Sequence, residues 1–235
     1  MKALRTKVST YAIALLMSFG FATTSIAGSG DFAGIYGAFT GSAGGAGING
    51  THVDQSGQRT TGQVGGVFPL AGYEVGFNLP LGPVFFLGAG HSWTKGGSAS
   101  IADGTDGANS FGAKEAGDDA DDLSNFHLKA KNLKEVYIMP SISIYDNSAV
   151  YVKLGRAIAD TEATGDVTGV PNNLQGDLIG IGTIAMTPSG IFIKTEGSVT
   201  RFDDISITGV GGSANSKIEG TPDMVTGTVA IGFKF

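Results

Sequence analysis

The chain contains no cysteine, carries charge on only 15% of its residues and has a single tryptophan. Without cysteine there is no disulfide framework, so an exported protein must take its stability from elsewhere. Past the first two dozen residues no stretch approaches the roughly 18 consecutive apolar residues of a membrane-spanning helix. Basic residues are outnumbered, 15 against 21 acidic, which excludes the basic footprint of a nucleic-acid binder. Glycine, by contrast, is abundant at 39 residues. Each one costs a helix about 1 kcal/mol relative to alanine, so an all-helical fold is disfavoured.

The N-terminus has the layout of a secretory signal. Lys2, Arg5 and Lys7 form a positive segment, residues 11–22 are apolar, and Ser25 and Ala27 are the small residues of a cleavage site before Gly28. A retained anchor is the competing reading, but the apolar stretch is short for a span. Domain boundaries follow: 1–27 signal peptide, 28–235 one domain. Cleavage removes three basic and no acidic residues, which leaves 208 residues and moves the formal charge from −6 to −9.

The remaining chain alternates. In the last twelve residues Val225, Val229, Ile231, Phe233 and Phe235 share one parity, while Thr226, Thr228, Ala230, Gly232 and Lys234 take the other. Period-2 alternation marks a strand with two unlike faces. Seven further segments follow the rule, giving strands near 32–42, 70–79, 84–95, 132–145, 149–159, 176–186 and 191–202. Strands one and six leave their facing open. Pro80-Leu81-Gly82-Pro83, Asp146-Asn147-Ser148 and Thr187-Pro188-Ser189-Gly190 make short turns. Long polar connections span 43–67, 96–131, 160–175 and 203–222. Strands of ten to thirteen residues suit a tilted crossing of a bilayer, and long and short connections strictly alternate. The expected fold is all-β, an eight-stranded antiparallel up-and-down transmembrane β-barrel.

The signal segment, the three tight turns and the terminal Gly232-Phe233-Lys234-Phe235 resemble the small outer-membrane barrels of the OmpA, OmpX and opacity-protein type. The resemblance implies the outer membrane of a Gram-negative bacterium, contact with outer-membrane lipid and lipopolysaccharide, and recognition of the strand ending in Phe235 by the barrel assembly machinery. No cofactor is expected, and no enzyme, since no triad spacing can be read. Long loops on a rigid scaffold suit an extracellular partner, which favours adhesion or envelope integrity.

If the aliphatic parity faces lipid, Glu74, Glu135, Lys153, Lys194 and Glu196 all point into the lumen. Charges in so narrow an interior must be paired or hydrated. They are expected to form a polar network that plugs the barrel and locks its register; a narrow conduit or porin for small solutes or ions is the alternative. Arg156 and Arg201 fall on the lipid-facing parity, placed to snorkel towards headgroups or touch lipid phosphate. Phe85 and Trp93, about 20 Å apart along the membrane normal, are expected interfacial aromatics, as are Phe233 and Phe235. No catalytic set is expected: His91 and Ser92 are adjacent on a strand and point apart, and His52 and His127 lie in loops. The acidic run Asp103, Asp106, Asp118, Asp119, Asp121 and Asp122 has no EF-hand spacing, and no metal site is assigned to it.

Overall fold

A computed structural model describes residues 28–53, 57, 59–95, 97–103, 127–165, 167–209 and 217–235. The signal segment and most of the acidic run lie outside them. A 3-10 turn, Ser29–Phe32, leads into β1 (Gly34–Val53), β2 (Arg59–Pro80), β3 (Phe85–Thr94), β4 (Ala99–Asp103), β5 (His127–Tyr145) and β6 (Ser148–Thr164). Then come β7 (Val167–Thr168), β8 (Asn173–Met186), β9 (Ile191–Phe202), β10 (Ile205–Gly209) and β11 (Lys217–Lys234). Eight of these, β1-β2-β3-β5-β6-β8-β9-β11, pair in order and antiparallel, and β11 closes the ring on β1.

The three tight turns join β2 to β3, β5 to β6 and β8 to β9 at one end of the ring. Gly82 (φ +116°) and Gly190 (φ +88°) take left-handed backbone there, which a side chain would disfavour.

The register fixes the barrel's geometry. Gly37 pairs with Val75, Val75 with His91, and His91 with Val136; the row continues through Arg156, Asp177, Arg201 and Asp223 to Gly47. One circuit therefore returns ten residues further along β1, a shear of 10. With eight strands, a rise of about 3.3 Å and a spacing of about 4.8 Å, the strands tilt about 41° in a cylinder of radius about 8 Å. A pairing row then climbs about 3 Å per strand away from the turns.

Several expected boundaries move. The connection at 43–67 is largely strand, because β1 runs to Val53 and β2 starts at Arg59 with unbroken pairing between them. The connections at 96–131, 160–175 and 203–222 likewise contain β4, β7, β10 and the outer ends of β5, β6, β8 and β11. Glycine and polar residues obscured these extensions, yet the backbone groups there still need partners and continue the ladder. Phe32, expected to open the first strand, instead belongs to the 3-10 turn.

Candidate functional site: the filled lumen

Inward and outward faces alternate along every ring strand. Ile35, Phe39, Val136, Ile138, Ile179, Ile181 and Ile231 stand outside with roughly half or more of their surface exposed. Strand facings that the sequence left open are settled here: Tyr36 and Ala38 point in from β1, and Leu178, Ile184 and Met186 from β8. So much exposed aliphatic surface around a ring with no open edge has one physical home, the hydrocarbon of a bilayer. The molecule is a transmembrane β-barrel. Its fold is similar to that of Ail, the attachment invasion locus protein of Yersinia pestis, at 11% identity and TM-score 0.37 over 84% of this chain and 99% of that one. It is similar also to outer membrane protein OprG from Pseudomonas aeruginosa (12%, 0.48, 86% and 96%) and outer membrane protease OmpT from Escherichia coli (12%, 0.41, 86% and 97%). No family model and no curated protein matches the chain.

The lumen is filled in three layers. At mid-height the structure gathers all five charged residues read from parity. Lys194 Nζ donates to Glu74 Oε1 at 2.7 Å, and Lys153 Nζ bridges Glu135 Oε2 at 2.7 Å and Glu196 Oε1 at 3.0 Å. Three carboxylates face two ammonium groups, so ion pairing alone leaves acceptors in excess. Hydroxyls supply the missing donors: Tyr137 to Glu74 at 3.2 Å, Tyr151 to Glu196 at 3.0 Å and Ser92 to Glu135 at 2.7 Å. The tyrosine rings also flank the cations, with Lys153 Nζ 4.3 Å from the Tyr137 centroid and Lys194 Nζ 5.4 to 5.8 Å from those of Tyr36, Tyr137 and Tyr151.

Those rings fit because each faces a glycine. Tyr36 pairs across strands with Gly76, Tyr137 with Gly90, Tyr151 with Gly182, and Phe192 with Gly232. A Cβ at any of these glycines would run into the facing ring. Much of the lumen's glycine thus makes room for aromatic side chains that lie flat across the neighbouring strand.

Below the charged layer Phe32 enters the lumen from the 3-10 turn and stacks on Phe86, centroids 5.0 Å apart, while Asn78 Nδ2 donates to its carbonyl at 3.0 Å. Met139, Met186 and Phe192 complete this lower apolar layer. Above, the strand extensions close over a second core that includes Ile48, Phe68, Leu128, Leu174, Ile207 and Ile218. The sequence reading anticipated only the polar layer. Strands that outrun the bilayer must bury apolar side chains inward, as any water-soluble barrel does. The cavity left at the charged layer measures about 30 Å³, room for about two water molecules at 10–15 Å³ each.

Outside, Phe85, Phe233 and Phe235 stand near the turns, with Phe233 and Phe235 edge-to-face at 5.3 Å. Trp93 packs on Tyr73 (4.7 Å) and His91 (4.3 Å) further up the wall. His91 faces outward with Nδ1 2.7 Å from the Glu135 carbonyl oxygen, whereas Ser92 faces the lumen, so the two do not meet. His52 and His127 both fall within strands rather than loops. Arg156 and Arg201 both point outward: Arg156 Nη1 lies 2.6 Å from Asp177 Oδ1, and Arg201 is exposed. At the far rim, hydrogen bonding from Lys131 holds the Glu162 carboxyl below the usual range, and Lys217 does the same for Glu219.

Sequence reasoning left out Tyr36, Tyr137, Tyr151, Ser92 and Phe32. For Tyr137 and Tyr151 a signal existed, since each lies two residues from Glu135 or Lys153 on the same inward parity; for Ser92 it was only the parity opposite Trp93. Tyr36 sat on a strand of ambiguous facing. For Phe32 there was none.

Proposed function

We propose that the protein is a non-enzymatic structural and surface protein of a Gram-negative outer membrane, a closed barrel that displays its strand extensions for adhesion or envelope integrity. The observation that carries this reading is the charged layer between two apolar layers, where each carboxylate meets both an ammonium and a hydroxyl and the free volume is about 30 Å³. A conducting path requires mobile water in continuous file, and side chains locked by ion pairs between apolar layers oppose it. The outer ends of the paired strands β1–β2, β5–β6 and β10–β11 build a platform beyond the charged layer, which suits contact with an extracellular partner. The outer wall meets lipid and lipopolysaccharide, and the strand ending in Phe235 closes the ring under the barrel assembly machinery. Its acidic charge gives no affinity for nucleic acid.

Planar-bilayer recording tests the closed lumen. Purified protein is expected to insert with conductance indistinguishable from the bare bilayer. Reproducible ohmic steps in the wild type would replace this reading with that of a narrow channel.

A further inference from the structure

The outer wall carries a feature that a plugged lumen does not need. Arg156, Asp177, Arg201 and Asp223 stand on consecutive ring strands in one pairing row, cation and anion alternating. The row climbs, so its members lie at different depths. Arg201 is ten residues along β9 from Ile191 at the turn end; at the barrel's tilt that is about 25 Å, the height of a lipid-facing apolar band. Arg156, two strands back along the row, lies about 6 Å lower.

Pairing separates the two arginines. The Arg156 backbone lies inside the band, and its guanidinium reaches outward to Asp177 at 2.6 Å and to within 3.8 Å of Asp203, two residues beyond Arg201. Asp223 accepts from Asn49 Nδ2 at 2.9 Å. Arg201 is exposed and, among the described residues, no group bonds its guanidinium, although Asp177 and Asp223 are its register neighbours. Directly beneath it, exposed Val199 and Ile179 offer an apolar wall. A free guanidinium at the rim of such a wall meets the headgroup layer, where its planar fork suits the bidentate geometry of phosphate.

We propose that Arg201 is the ligand of a lipid phosphate in the outer leaflet, with the acyl chains lying along the wall below and Arg156 held beside it by its own carboxylates. This rests on the outer-membrane reading above. The test compares wild type, Arg201→Ala and Arg201→Lys reconstituted in phosphatidylcholine vesicles doped with diphosphorylated lipid A or with its dephosphorylated form. Lipid retained after detergent exchange is counted by native mass spectrometry, on protein that still shows a heat-induced gel shift. Wild type is expected to retain the phosphorylated lipid, Arg201→Ala about ten-fold less, equivalent to about 1.4 kcal/mol, and Arg201→Lys an intermediate amount. Equal retention by Arg201→Ala, equal retention of the dephosphorylated lipid, or displacement by millimolar inorganic phosphate would each overturn the lipid-phosphate site. Loss of the gel shift in the wild type would remove the membrane barrel instead, and the site with it.

Discussion

Lys194 shows how little slack a single residue has in this lumen. It is buried, and among the described residues its ammonium is the one basic group paired with Glu74, at 2.7 Å. Replacing it with methionine leaves a carboxylate buried against the Tyr137 hydroxyl with no cation, which costs about 3–5 kcal/mol for a broken buried pair. Lys194→Met is therefore expected to lower the urea midpoint of unfolding from lipid vesicles by that equivalent, and the double variant Glu74→Gln/Lys194→Met to recover most of it. Failure of the double variant to recover would mean the pair is not the source of the loss. At this scale parity was enough to place the five charged side chains inside. It was not enough to choose partners, because the distance between Glu74 and Lys194 depends on how β2 and β9 face each other across the cylinder.

For whole strands, the recurring device is an aromatic ring laid over a cross-strand glycine. Tyr151 on Gly182 joins β6 to β8, and the same device joins β1 to β2, β3 to β5 and β9 to β11. A methyl group at Gly182 would meet both the Tyr151 ring and the Thr195 carbonyl. Gly182→Ala is expected to destabilise the barrel by about 1–3 kcal/mol, as overpacking does, read as a lower temperature for the gel shift. Wild-type behaviour from this variant would show that the ring moves aside freely. Glycine content argued correctly against helices, while its placement opposite tyrosine was hidden until register was known. The same blindness shortened the strands: at 43–53 and 59–67 alternation is diluted by glycine, yet the β1–β2 ladder runs straight through.

Taken as one molecule, the eight ring strands close on themselves among the described residues, so within the ring the ladder groups of each strand are met by a neighbour on both sides. Detergent alone offers no competing partners for them. Unboiled protein is expected to migrate as a compact species on a detergent gel and to shift on boiling; a single unshifted band would contradict a closed ring. The terminal strand completes this closure: β11 pairs with both β9 and β1, and its removal leaves two open edges.

Alternation of side chains, the spacing of turns and the scarcity of charge determined the all-β class, the eight membrane strands, their order and the inward set of charges. These are local properties, fixed by a two-residue period and by turn chemistry. Tertiary structure decided the shear of 10, the entry of Phe32 into the lumen, the apolar layers above and below the charges and the depth difference between Arg156 and Arg201. All of these arise from closing the sheet on itself, since only closure turns a register between neighbouring strands into a position on a cylinder.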